Sequence, residues 1–435
     1  MNKGDLNSVV WLLALYTLQG VPLGMSAVFP LLLKERGASY ADLAWFGMSA
    51  WPFALKLLWA PIVDGSSLPG LGRRKSWLIP CQLLIGALLF HLSFTYEQLL
   101  ASNDVASLTT VFFALYFLAA TQDIAVDGWA LTMLTKDNVG YAGTCNSVGQ
   151  TAGYFLAFSG FFGLAKLGIC TLESFMQFWA ILFVVVTVLV GLLKPEHAEE
   201  PDSIVSIYKD MFSVLTLKSV KDLCFVLLTC GVPFVSGLVG VKFQDAGVSS
   251  DVIALLATLT TPVHVCLPWL VARFLPKLAP LTSFRLAFPL RIMFQLVSVL
   301  LVILTPYAIA TDSTTGLWIF YAVCLILSSV ESAVMQVMFV SKMTFFARVS
   351  DPAIGGTFMT VLNTVSNIGS NIAAQVSYWL AQIATVPNVI DGFYIVVVFA
   401  TVYGIVWLRI FGRSLSELEK RDESLWRVPR RTKNV

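Results

Sequence analysis

Apolar runs broken by charged or turn-rich stretches divide the chain into twelve segments, near 9–33, 41–63, 76–96, 105–134, 139–165, 174–193, 221–243, 252–274, 285–306, 315–346, 353–385 and 391–411. About 20 apolar residues in a helix suffice to cross a hydrocarbon core of ~30 Å, and each segment reaches that length. The pattern predicts an all-α membrane protein of twelve transmembrane helices. The first segment is too long for the apolar stretch of a signal peptide and lacks a small-residue cleavage site, so it is expected to stay as a permanent span.

The longest polar break, "KPEHAEEPDSIVSIYKD" from Lys194, follows the sixth span. It divides the chain into an amino-terminal half at 1–194, a linker at 195–219, a carboxy-terminal half at 220–412 and a basic tail at 413–435. The halves align with each other. Laying residue 37 on 247 pairs Gly37 with Gly247, Ser39 with Ser249, Ala44 with Ala254, Pro52 with Pro262 and Trp59 with Trp269. Asn146, Ser147, Val148 and Gln150 of span five lie opposite Asn363, Thr364, Val365 and Asn367 of span eleven. Two pseudo-symmetric six-helix halves follow as the expected architecture.

Composition agrees with a membrane chain: 57% of the 435 residues are hydrophobic and 12% are charged, about half the charge of an ordinary globular protein. The net charge of +2 points to no nucleic-acid partner. Its distribution says more. With both termini in the cytosol, 22 of the 28 Lys and Arg fall at cytosolic ends, as the positive-inside rule requires. The seven cysteines are scattered singly, mostly in apolar segments, and read as packing residues. His91, His197 and His264 stand far apart, so no metal or catalytic cluster is expected, and no nucleotide-binding loop suggests ATP-driven transport.

Polar residues inside the spans need a reason, since a charge at the centre of a membrane helix costs about 2.5–3.5 kcal/mol. "ATQDIAVDGWALTML", residues 120–134, places Asp123 and Asp127 on one face of span four. Adjacent carboxylates repel, so a cation is expected beside them. Lys56 in span two is the first candidate, at the depth of Asp127; Arg73 and Arg74 are the second. Two readings stay open: a proton or substrate relay, or an ion-pair network bracing the amino-terminal half.

Amides form two stripes. Asn363, Asn367, Asn371 and Gln375 recur every fourth residue of span eleven, and Asn146, Gln150 and Tyr154 do so in span five. Such columns are expected to line a cavity, with interhelical hydrogen bonding as the alternative. Gln122 beside the aspartates adds a further amide. Gly149, Gly153 and Ala157 form a small-residue row suited to a close helix contact. Glu331 in span ten is a candidate proton-coupling group with no evident partner. Arg291 in span nine could hold a phosphate or anchor the interface.

Seven stretches carry a family resemblance: "GVPLG" at 20–24, "WPFALKLLWAPIVD" at 51–64, "GRRKSWLIP" at 72–80, "ATQDIAVDGWALTML" at 120–134, "NVGYAGTCNSVGQTAGYF" at 138–155, "VSDPAIGGTFMTVLNTVSNIGSN" at 349–371 and "DGFY" at 391–394. The chain resembles the eukaryotic acetyl-coenzyme A transporters of the endoplasmic reticulum, within the major facilitator superfamily and distantly similar to bacterial muropeptide permeases. That resemblance implies the major facilitator fold and carriage of acetyl-coenzyme A from cytosol to lumen by alternating access, supporting luminal acetylation. It implies no enzyme activity, cofactor or metal.

The expected partners are acetyl-coenzyme A or coenzyme A and the lipid bilayer; a homodimer is left open. Substrate-contact candidates are Trp51, Lys56, Gln122, Asn146, Gln150, Tyr154, Arg291, Asn363, Asn367 and Asn371. Asp123, Asp127, Lys56 and Glu331 are the ion-pair or proton-relay set. Asp64, Arg73 and Arg74 are the gate, although "GSSLPGL" separates Asp64 from the arginines where the superfamily pattern is shorter. The competing functions are a proton-coupled carrier of another bulky anion, such as glutathione disulfide, a glutathione conjugate or a muropeptide-like solute, and a membrane acetyltransferase.

Overall fold

The computed structural model describes residues 3–68, 70–135, 138, 141–196, 203–260, 279–311, 313–350, 355–386 and 389–427. These are helical throughout, with two isolated bridges and no longer strand among them. The chain forms two compact units. Unit 1 is Met1–Ile204 with Phe243–Thr261, and unit 2 is Val205–Lys242 with Pro262–Val435. Residues 243–261 thus group with the first unit, although they follow the linker in sequence. The far part of span eight, with Pro262, His264, Cys266 and Trp269, lies outside the described residues, as do Lys136, His197 and the tail from residue 428.

In unit 1 the helices are α1 (Lys3–Glu35), α2 (Tyr40–Gly47), α3 (Trp51–Leu55), α4 (Ala60–Gly65), α5 (Lys75–Ala101), α6 (Val105–Met133), α7 (Tyr141–Lys166) and α8 (Leu172–Leu193). The linker then forms α9 (Ile204–Thr216), with which unit 2 begins. Next come α10 (Lys218–Thr229), α11 (Ser236–Asp245), which crosses the unit boundary, and α12 (Ser250–Thr260), which belongs to unit 1. Unit 2 continues with α13 (Pro280–Ile309), α14 (Thr314–Val349), α15 (Gly355–Ala384) and α16 (Gly392–Lys420). Seven of these are long and apolar enough to cross a membrane: α1, α5, α6, α8, α13, α14 and α16.

The five expected spans outside that set have physical reasons to be there. Spans two and seven are broken; spans five and eleven are α7 and α15, diluted by Asn, Gln and Gly; span eight is only partly described. Span two divides into α2, α3 and α4 with tight turns at Met48–Ala50 and Lys56–Leu58. Pro52 and Pro61 remove two backbone donors from the helical ladder. Span seven breaks between α10 and α11 at "CGVPFV", and the side-chain amide of Gln295 on α13 replaces the missing ladder. Its Oε1 accepts from Val235 N at 2.8 Å while its Nε2 donates to Pro233 O at 3.0 Å.

Glycines set the closest helix contacts. A Cβ on Gly153 of α7 would lie 1.9 Å from the Thr17 carbonyl oxygen of α1, and one on Gly20 would lie 2.1 Å from the Gln150 oxygen. In unit 2, a Cβ on Gly369 of α15 would lie 2.5 Å from the Leu227 oxygen of α10. Small residues let backbones touch where lipid supplies no hydrophobic drive.

The helix ends are also matched. Gly37 (φ +84°) and Gly247 (φ +102°) both close a helix left-handedly. Ala38 N donates to Leu33 O at 3.0 Å and Val248 N to Phe243 O at 3.1 Å, the six-to-one bond of a Schellman cap. Asp104 caps α6 by accepting from Ser107 N at 3.0 Å. Those Ser107 hydrogen bonds hold its carboxyl below the ordinary aspartate range.

At the far end of the chain, α16 runs past residue 413 into the expected tail. Trp426 is only 1% exposed and packs edge-on against Phe345. Gly153→Ala should lower stability by about 1–3 kcal/mol through overpacking. Gly163→Ala, with nothing within 4 Å of the added Cβ, should gain about 0.5–1 kcal/mol. Denaturant unfolding of the two variants checks this, and equal effects would remove the close-contact argument.

Candidate functional site

The polar centre of unit 1 is built on the break in span two. Lys56 lies in the turn between α3 and α4 and forms an ion pair with Asp123 on α6. Its Nζ is 4.0 Å from Asp127 Oδ2. The cation therefore sits on Asp123 and also reaches toward Asp127.

Each carboxylate has further donors. Gln19 Nε2 of α1 donates to Asp123 Oδ1 at 2.5 Å. Tyr16 Oη and Asn146 Nδ2 donate to Asp127 Oδ1 at 2.7 and 3.0 Å. The two environments differ: the Asp123 side chain is 5% exposed and that of Asp127 46%. Asp123 is a tied, enclosed carboxylate, whereas Asp127 keeps one oxygen open to exchange. Gln122 is fully buried, and its Nε2 donates to Leu15 O at 3.2 Å. That joins α6 to α1 and turns Gln122 away from any solute.

Arg74 pairs with Asp64, and Arg73 Nη1 reaches the Asp64 carbonyl at 3.4 Å. The longer loop brings them together by folding back on itself, through the Leu68–Gly72 bridge and left-handed glycines at 70 and 72 (φ +82° each). Arg74 does reach α6, but at Gly128 and not at the aspartates. Its guanidinium fills the place a side chain would take there, with Cζ 2.2 Å from where a Cβ would stand. Glu196 of the linker then accepts from Arg74 N at 2.6 Å and Lys75 N at 2.9 Å, capping α5.

Gln150 and Tyr154 of α7 and Trp51 of α3 are half-buried, and the Trp51 indole N–H is enclosed without a partner. The Tyr154 ring stacks on Phe158, centroids 5.9 Å apart.

Unit 2 has its own polar centre. Glu331 accepts from Ser236 Oγ at 3.2 Å and Ser298 Oγ at 3.0 Å, hydroxyl partners that sequence spacing did not disclose. Arg291 lies over the Phe234 ring, 3.8 Å from its centroid. Lys342 donates to Ser366 Oγ at 2.8 Å. On α15, Asn363 and Asn371 are half-buried and Asn367 is exposed, and none has a hydrogen-bond partner among the described residues. The amide stripe of α15 is thus free, whereas that of α7 is partly used, Asn146 being committed to Asp127. Among the described residues no cluster of His, Cys, Asp or Glu could hold a metal ion.

The residues that sequence reasoning missed are Tyr16, Gln19, Glu196, Ser236, Gln295 and Ser298. Prolines 52, 61 and 233 were the available signal, marking where helices break and polar side chains gather.

Removing one partner of a buried ion pair costs about 3–5 kcal/mol, so Lys56→Gln should destabilise the chain on that scale. Lys56→Gln/Asp123→Asn should recover most of the loss, and Asp127→Asn alone should cost less than Lys56→Gln. Thermal or denaturant unfolding of the four proteins checks the order.

Comparison with known proteins agrees with a carrier. The family model described as acetyl-coenzyme A transporter 1 matches residues 8–200 and 194–390. A Schizosaccharomyces pombe protein is 32% identical over 405 residues, covering 88% of this chain and 76% of its own length. A Saccharomyces cerevisiae membrane protein is 28% identical over 485 residues, covering 89% and 86%. The Rickettsia felis transporter AmpG 4 is 30% identical over 190 residues, 42% of this chain and 44% of its own.

Among solved structures, the nucleoside transporter NupG superposes with a TM-score of 0.61 at 14% identity, covering 96% of this chain and 100% of its own. A bacterial homolog of the human lysosomal transporter Spinster does so with 0.58 at 13%, covering 99% and 100%. At such identity these two establish the major facilitator fold alone. The family model, the Rickettsia relative and both solved structures are described as transporters. With most of its length matched by one family model, this multi-pass membrane protein belongs to the acetyl-coenzyme A transporter family.

Proposed function

We propose that the chain carries acetyl-coenzyme A from the cytosol into the endoplasmic reticulum lumen, where it feeds acetylation. In this reading twelve spans form two six-helix halves that alternate access, with both termini in the cytosol. The observation that carries the proposal is the family match across residues 8–390. The placement of most of the 28 basic residues at one set of loop ends supports the orientation. The caps at Gly37 and Gly247 support descent of the halves from one repeat.

The chemistry is compatible with this cargo. Acetyl-coenzyme A has an adenine ring, phosphates and an arm rich in amides. Asn363, Asn367 and Asn371 offer unpaired amide donors and acceptors along about 12 Å of α15. Trp51 and Tyr154 offer ring faces for the base, each stack contributing about 1–3 kcal/mol by analogy with nucleic acids. Lys56 contributes little to holding an anion, because Asp123 and Asp127 already neutralise it.

A second reading, proton-coupled carriage of another bulky anion, draws on Asp127. That carboxylate is 46% exposed beside a cation, a position from which it could exchange a proton.

Proteoliposomes test both. Acetyl-coenzyme A labelled separately on acetyl and adenine should accumulate both labels in equal amounts. Acetyl without adenine would indicate an acetyltransferase, and no uptake of either label would sink the proposal. Under the first reading the rate should be flat across about pH 5.5–8, a window in which ordinary carboxylates stay ionised. A slope abolished by Asp127→Asn would favour the second.

A further inference from the structure

At the polar centre of unit 2 two half-buried cations stand against one half-buried carboxylate. Within its helices, about 16 Å from the start of α13 and about 10 Å from the end of α14, stand Arg291 and Lys342. The charge of Arg291 is felt at Lys342. Among the described residues their one acidic neighbour is Glu331, whose field reaches Arg291 without a salt bridge and whose oxygens take Ser236 and Ser298. In unit 1 the balance is reversed, with one lysine between two aspartates.

The two cations are also under-used. The Arg291 guanidinium stands over the Phe234 ring, and its Nε is enclosed with no hydrogen-bond partner. Lys342 spends one of its three donors on Ser366. The Thr364 hydroxyl, on the same helix as Ser366, is likewise enclosed without a partner. Half-buried cations with free donors, two against a single carboxylate that already accepts from two serines, are stabilised by an anion from outside. A forked guanidinium beside a point-charge ammonium suits a phosphate or diphosphate.

We propose that Arg291 and Lys342 form the subsite that receives the phosphates of a nucleotide-bearing solute. Asn367, Asn371 and Gln375, on successive turns of α15 beyond Ser366, lead away from it as the track for an amide-rich arm. The inference rests on the acetyl-coenzyme A reading for the identity of the solute, not for the charge of the site. It keeps Arg291 as the phosphate contact and adds Lys342, a residue that sequence spacing left without a role.

The test uses the full chain in phosphatidylcholine nanodiscs, with coenzyme A, ADP and inorganic pyrophosphate as probes and unfolding temperature as a check on fold. Arg291→Gln and Lys342→Gln should each raise the Kd for coenzyme A by at least about fivefold, since each loses a charge-assisted contact. Lys342→Arg, which keeps the charge, should stay below about fivefold, and Arg291→Lys, which keeps the charge but loses the fork, should lose less than Arg291→Gln.

A change below about fivefold in both glutamine variants, or equal loss in the charge-keeping pair, overturns the subsite. So does displacement of coenzyme A by phosphatidic acid added to the nanodiscs, which would assign the cations to a lipid headgroup. The two proposals fail separately. Charge-dependent binding of ADP or pyrophosphate without acetyl-coenzyme A uptake keeps the subsite and removes the cargo. Normal uptake and binding by both glutamine variants does the reverse.

Discussion

A charge enclosed among membrane helices must be answered by another charge or by a solute, and the two units meet that demand differently. In unit 1 the answer is internal: Lys56 binds Asp123, stands 4.0 Å from Asp127, and draws in Gln19, Tyr16 and Asn146 from two further helices. Four elements are tied at one point. In a medium where apolar burial does little to hold helices together, such a knot, with the glycine contact between α1 and α7, supplies much of the unit's cohesion. The same residues offer little to an anion, because their one positive charge is already spent.

Other devices occur in both units, each from different residues. A tryptophan indole donates to a threonine hydroxyl in each: Trp59 to Thr121 at 3.0 Å and Trp407 to Thr229 at 2.9 Å. A glutamate from a later segment caps a long helix in each. Glu196 does so for α5, and Glu419 accepts from Leu281 N and Thr282 N of α13, both at 2.8 Å. Both carboxylates meet exposed backbone donors at a helix start, where negative charge is favoured. Where the two polar centres diverge is in sign, one lysine to two aspartates in unit 1 against two cations to one glutamate in unit 2, and that divergence is what a carrier of an anion would exploit.

Much of this was legible in the chain. Apolar runs located α1, α5, α6, α8, α13, α14 and α16, because length and hydropathy alone decide a long membrane helix. The pairing of Gly37 with Gly247 was legible because only glycine closes a helix so cheaply in the left-handed region. The need of Asp123 and Asp127 for a cation followed from their spacing. What spacing could not give was register across a break. Lys56 lies in the turn at Lys56–Leu58, where helical spacing does not say which carboxylate its ammonium takes, and the ion pair falls on Asp123. Gln295 was illegible for a related reason: its partners are backbone atoms exposed only because α10 and α11 do not join. Glu331 lacked a visible partner because serine hydroxyls, common in any helix, carry no periodic mark.

The account comes down to a division of labour, with the aspartates and Lys56 holding unit 1 together and the cations of unit 2 holding the cargo. An experimental density map of the full chain with coenzyme A bound is the most direct measurement of it. The account requires phosphate density beside Arg291 and Lys342, with Lys56 still seated on Asp123. Phosphate density on Lys56, with that lysine drawn away from Asp123, would contradict it.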